Sequence, residues 1–136
     1  MILRAPGIYA HDRLPIDRLK AGLPALREED DVYTNHIHAD DLAQLAWWVL
    51  FRGRAQRVYN ACDNTSMKMG EYFDAVAKAR GLPCSPRISR ADLIHAVSPA
   101  QRSFMEESRR IRNDRVRNEL GFVYDYPELS TWLKEP

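Results

Sequence analysis

The stretch Asn35-His36-Ile37-His38-Ala39-Asp40-Asp41-Leu42-Ala43, continuing to Arg52 and closed by Gly53, decides how the chain is read. Leu42, Leu45, Ala46, Val49 and Leu50 recur at i, i+3, i+4, i+7 and i+8, which predicts a helix over 40–52 with one apolar face. Asp40 and Asp41 sit at its positive N-terminal end, and Gly53 ends it. Val32 to His38 alternates loosely between apolar and polar residues and predicts a strand. A strand that feeds straight into a helix is the building step of α/β architecture.

Working outward, Ile2 to Tyr9 predicts a short buried strand broken by Pro6-Gly7, and Asp12 to Leu23 a short helix. Glu28-Glu29-Asp30-Asp31 predicts an acidic surface loop. Arg57 to Cys62 predicts another strand. After Asn64 a helix follows whose core face is Tyr72, Phe73, Val76 and Ala77, stopped by Gly81 and Pro83. A helical region begins after Arg90, and Ser98-Pro99-Ala100-Gln101 is a capping signal within it. Asn113 is placed to cap a last short helix that ends at Leu120-Gly121, and Tyr126-Pro127 opens a turn toward Trp132 and Leu133. Only two or three strands are predicted, fewer than a parallel sheet buried on both faces uses.

The 136 residues are enough for one ordinary domain, and 45% hydrophobic with 29% charged residues is a globular balance. Twenty basic against nineteen acidic residues leave a net charge of +1, so charge does not point to nucleic acid or an anionic membrane. No apolar run approaches the ~20 residues of a membrane span, and Met1 to Gly7 does not read as a signal peptide. Two cysteines, Cys62 and Cys84, are too few for a disulfide scaffold and fit a reducing cytoplasm. The run Ser108 to Arg117 is rich in arginine. Between Arg87 and Asn118 eight arginines face four acids, with Phe104 the one aromatic besides His95, so a solvated helix face is expected there.

Candidate chemistry is sparse. His36-x-His38-x-Asp40 is similar to the zinc motif of metallo-β-lactamase-like hydrolases, but that motif continues with His where Asp41 stands and with a Gly pair where Leu42-Ala43 stands. His11 and His95 lie in no matching context. There is no Gly-x-Ser-x-Gly, no Gly-x-Gly-x-x-Gly and no phosphate loop, and neither cysteine has a histidine near it in sequence. No catalytic set is complete, and no metal ligands are assigned.

Four segments, in order, resemble the C-terminal part of the extended short-chain dehydrogenase/reductases, the NAD-dependent epimerase/dehydratase family. Ile2-Leu3-Arg4-Ala5-Pro6-Gly7-Ile8-Tyr9-Ala10 resembles the family's "LR-x-x-G-I-Y-G", and Asn35 to Ala43 its "I-H-V-x-D-L-A". Val58-Tyr59-Asn60-Ala61 resembles "V-Y-N-V", and Ser108 to Gly121 followed by Tyr126-Pro127 its closing stretch. The resemblance implies an α/β fragment of a Rossmann-type enzyme, residues 1–136 as a single substrate-binding portion with the last sheet strands. The dinucleotide-binding half, with its glycine-rich loop and Tyr-x-x-x-Lys pair, lies upstream in that family. A truncated gene product, a late start codon and a proteolytic remnant would each produce such a piece.

The resemblance further implies that Pro6, Gly7 and Ile8 lie beside the nicotinamide, where Gly7 would permit close approach of a ring. It implies that Tyr9, Asn35 and Arg109 face a small-molecule substrate, and that His38 and Asp41 are mostly structural. NAD or NADP would serve the full-length parent, a sugar or similar polar carbonyl or hydroxyl compound would be its substrate, and this chain alone would be inactive and bind no cofactor. One departure bears on nucleotide sugars: sugar-nucleotide epimerases of the family place Arg where Thr34 stands here, after an acidic loop that repels a diphosphate, although Arg109 and Arg110 could compensate. The other readings are a non-catalytic relative that binds a dinucleotide or a protein, and the metal-dependent hydrolase suggested by His36 and His38. Strands at 2–8 and 57–62 without neighbours, and a helix 40–52 with surplus apolar surface, predict self-association.

Overall fold

The structure, a computed structural model, describes residues 1–136. Strands β1 (Ile2–Arg4) and β2 (Gly7–Tyr9) precede helix α1 (Ile16–Lys20), then come β3 (Ala25–Leu26), β4 (Tyr33–Thr34) and β5 (His36–His38). Helix α2 (Ala39–Arg52), β6 (Val58–Asn60), β7 (Met67–Lys68), α3 (Met69–Ala79) and β8 (Arg87–Ile88) follow. Helices α4 (Arg90–Ala96), α5 (Pro99–Glu106), α6 (Asp114–Leu120) and α7 (Leu129–Trp132) close the chain. The architecture is α/β with small sheets. Its eight strands form four pairs, three parallel and one antiparallel, where the sequence predicts two or three strands. Residues 1–136, read from the sequence as a single unit, group by their contacts into two compact units.

The first unit comprises residues 1–13, 35–65 and 111–136. Ile2 to Tyr9 is two strands, not one, because the turn at Ala5-Pro6 sends them to different partners: β1 pairs with β6, and β2 with β5. The strands at the chain start and at 58–60 therefore supply each other's neighbour. Ile37, Leu45, Tyr59, Val116 and Leu120 form the centre of this unit's core. Helix α2 is rotated from its predicted phase: Leu50 and Ala46 are exposed, and Trp48 is turned inward instead. Its indole Nε1 donates to the Leu120 carbonyl at 2.8 Å and its ring meets Phe122, so a hydrogen bond to α6 sets the face that periodicity alone places one residue away. Gly53 ends α2 in an extended conformation rather than a left-handed one. A Cβ there would sit 2.5 Å from the Val49 carbonyl oxygen, so contact with backbone selects the glycine.

Asp41, fully buried in the first turn of α2, accepts hydrogen bonds from the backbone N–H groups of Asp125 and Tyr126, each at 2.8 Å. Asn113 precedes α6 but does not cap it with its side chain. Its amide nitrogen instead donates to the Cys62 carbonyl and to Asn64 Oδ1, both at 2.9 Å. Gly121, at φ 63°, ends α6 where the sequence places its end, in the left-handed conformation glycine accepts.

The second unit comprises residues 14–34 and 66–110. Antiparallel β4–β7 and parallel β3–β8 accompany α1, α3, α4 and α5. Helix α3 buries Tyr72, Phe73, Val76 and Ala77, as its spacing predicts, and Leu26, Leu93 and Met105 form a further cluster. The Ser98 capping box is present, with Ser98 Oγ accepting from Gln101 N and Gln101 Oε1 from Ser98 N. The acidic loop is tied down: Asp31 Oδ2 accepts from Gly70 N at 2.9 Å, and Asp30 Oδ2 from Arg90 N at 2.9 Å. The arginine-rich run is no helix face between α5 and α6; residues 107–113 are irregular.

Asp41→Ala leaves two partly buried N–H groups without an acceptor, each worth about 1–3 kcal/mol. Urea unfolding should show a loss of about 3 kcal/mol, with Asp41→Asn in between because one amide oxygen remains to accept.

Candidate functional site

The segment Pro6–Tyr9 is the part of the chain most closely tied to a function by its sequence. Strand β2 runs parallel to β5 in the register Gly7 with His36, Ile8 with Ile37 and Tyr9 with His38. Gly7 N donates to the Asn35 carbonyl at 3.2 Å. A Cβ on Gly7 would lie 2.9 Å from the His36 Cδ2, so the ring that this glycine admits is the imidazole of His36. Ile8 packs against the core of the unit, Pro6 is half-buried, and the backbone at Gly7 is exposed. The backbone at Gly7 is thus open, whereas the Ile8 side chain is committed to packing.

Tyr9 is fully buried and has no surface to offer a substrate. Its ring lies 5.0 Å from Trp132 and 5.2 Å from His38, and its hydroxyl donates to Asp63 Oδ2 at 3.2 Å. His38 caps α2 by accepting from Asp40 N with Nδ1 at 3.1 Å, and its ring lies 4.1 Å from that of Tyr126. No three of the chain's His, Cys, Asp and Glu residues come together as metal ligands. Capping of α2 and packing against Tyr126 account for His38. Asn35 Oδ1 accepts from Ile111 N at 3.0 Å, a tie that holds the start of β5 against the segment before α6. Arg109 belongs to the second unit, is largely exposed, and pairs with Glu107.

Asp63 is the residue of this cluster that sequence reading misses. It is 5% exposed, and its Oδ1 accepts from Thr65 N at 2.8 Å. Asp63-Asn64-Thr65 directly after a strand is the local signal, since an Asp that bonds the N–H two residues on makes an Asx turn. Burial pushes its carboxyl up to about 6, against the lowering effect of Thr65 and Tyr9. Burial pushes the His36 imidazole down to about 4 and the Cys62 thiol up to about 11. The raised Cys62 thiol stays protonated, so it is not an activated nucleophile.

No protein-family profile and no curated protein matches the sequence. Solved structures do. A conserved protein of unknown function from Silicibacter pomeroyi is 31% identical, with a TM-score of 0.81, over 96% of this chain and 46% of that one. A human epimerase family protein solved with NADPH is 18% identical, with a TM-score of 0.76, over 97% of this chain and 46% of its own. A dTDP-glucose 4,6-dehydratase from Bacillus anthracis, solved with NAD, is 16% identical, with a TM-score of 0.66, over 98% and 41%. The chain spans less than half the length of these structures, and shares its fold with that portion of them. Among its structural neighbours are proteins of the epimerase and dehydratase type solved with NADPH or NAD.

The two buried titrations oppose each other. The raised Asp63 favours folding at low pH and costs stability as pH rises from about 4 to 6; the lowered His36 favours folding at high pH and costs stability as pH falls from 6.5 to about 4. Each amounts to roughly 3 kcal/mol at full shift. Urea midpoints of the natural chain should be nearly level across this window. Asp63→Asn should unmask the His36 effect as a loss of stability on acidification; a variant as level as the natural chain would contradict it.

Proposed function

We propose that the chain is the substrate-side part of an oxidoreductase of the epimerase/dehydratase type, whose full-length form moves a hydride between NAD or NADP and a polar carbonyl or hydroxyl substrate such as a sugar. The carrying observation is the likeness over nearly the whole chain to less than half of such enzymes, with 97% of this chain and 46% of the NADPH-bound human protein covered. The four family-like segments support it, because they lie in order on β1–β2, β5–α2, β6 and α6. The cofactor supplies the hydride chemistry when bound. This chain's residues position it: the exposed backbone at Gly7 faces the nicotinamide, while Tyr9 and Asn35 hold that backbone from behind.

On this reading the chain alone is inactive, because acid–base chemistry and pyrophosphate binding belong to an upstream Tyr-x-x-x-Lys pair and glycine-rich loop. Calorimetric titration with NAD+ should give no micromolar binding to this chain. Joined to an upstream segment carrying both motifs, the same residues should bind NAD+, and Gly7→Val should abolish that binding. Micromolar binding by the isolated chain would overturn the proposal.

The same reading expects self-association. Met1 and Ile2 beside the outer edge of β1, and Trp47, Leu50 and Phe51 on α2, are more than half exposed. Sedimentation equilibrium at micromolar concentration should find dimers or larger species, and a lone 15.7 kDa species would count against it.

A further inference from the structure

We infer that the first unit carries a site for a terminal phosphoryl group, formed by Arg4, Arg112 and Arg115, and this inference does not rest on the family reading. Arg4 ends β1, whereas Arg112 and Arg115 flank the start of α6, more than a hundred residues later. All three line one cavity of about 430 Å³, with Val58, Asn60 and Asp114. A solvated arginine run would spread its charges; here fold topology gathers guanidinium groups from two distant segments.

The cluster is held in place and left short of negative charge. Arg115 Nη1 donates to the Val58 carbonyl at 3.1 Å, and Asn60 Nδ2 donates to the Arg112 carbonyl at 3.1 Å. Arg112 Nε lies 2.7 Å from Asp114 Oδ2, while Asp114 Oδ1 is taken by Arg117 at 3.1 Å. Arg4 has no ion pair. Of the cavity's three arginines only Arg112 pairs with a carboxylate, that of Asp114, which also takes Arg117 from outside. Like charges so gathered raise the local potential until an anion neutralises them. Planar guanidinium forks match the several acceptor oxygens of a phosphoryl group. The cavity volume falls in the range of small-ligand sites. No aromatic side chain lines it for base stacking, which favours a small phosphorylated molecule or free phosphate over a nucleic-acid strand.

Titration of the full chain with inorganic pyrophosphate, followed by calorimetry, tests the site. One saturable event per chain is expected, weakening as salt is raised. Arg4→Gln, which removes no internal hydrogen bond, should weaken it about tenfold with an unchanged circular dichroism spectrum, and Arg13→Gln, at an exposed position outside the cavity, should not. Competition by glycerol phosphate and by inorganic phosphate then separates the sources: stronger competition by the ester marks an organic ligand, equal competition free phosphate, and both support the site. No saturable binding, or equal weakening by Arg4→Gln and Arg13→Gln, would overturn it.

Discussion

The carboxylate of Asp41 is the point on which the first unit hangs. Both of its oxygens accept backbone N–H groups of the segment at 125–126, from inside the first turn of α2. A buried carboxylate is costly unless its lone pairs are used, and here both backbone donors and the positive end of α2 compensate it. That anchoring brings the C-terminal stretch back to the strands, so that Trp132 reaches Tyr9 and His38, and Tyr126 covers His38. The backbone at Gly7 is held from beneath by this assembly.

Local signals in the sequence are legible, and the pairings between distant segments are not. The capping box at Ser98, the end of α6 at Gly121 and the buried face of α3 depend on neighbours within a turn or two, and each is found where the residues place it. The phase of α2 depends on a hydrogen bond from Trp48 to a carbonyl 72 residues away, which periodicity does not contain. Asn113 is a good capping residue by type, yet the Cys62 carbonyl takes its amide. The split of the predicted strand at Asn35 has the same origin: β4 pairs with β7 and β5 with β2.

For the candidate site, the resemblance implies a nicotinamide ring close to Gly7; within the fold, the ring packed against Gly7 is the imidazole of His36. Tyr9 and Asn35, which the resemblance sets against a substrate, use their polar atoms within the fold. Asp63 escapes notice because its importance comes from burial, which one acidic residue in a turn does not announce.

The interleaved order of the two units has a consequence for synthesis. The first unit draws on residues 1–13, 35–65 and 111–136, whereas the second needs only residues 14–34 and 66–110. As the chain leaves the ribosome, the second unit has all its residues while the first still lacks α6, α7 and the partners of Asp41. The early strands β1, β2, β5 and β6 must wait, their apolar faces open, until that last stretch emerges. Nascent chains stalled before residue 111 should therefore be the species most in need of a chaperone.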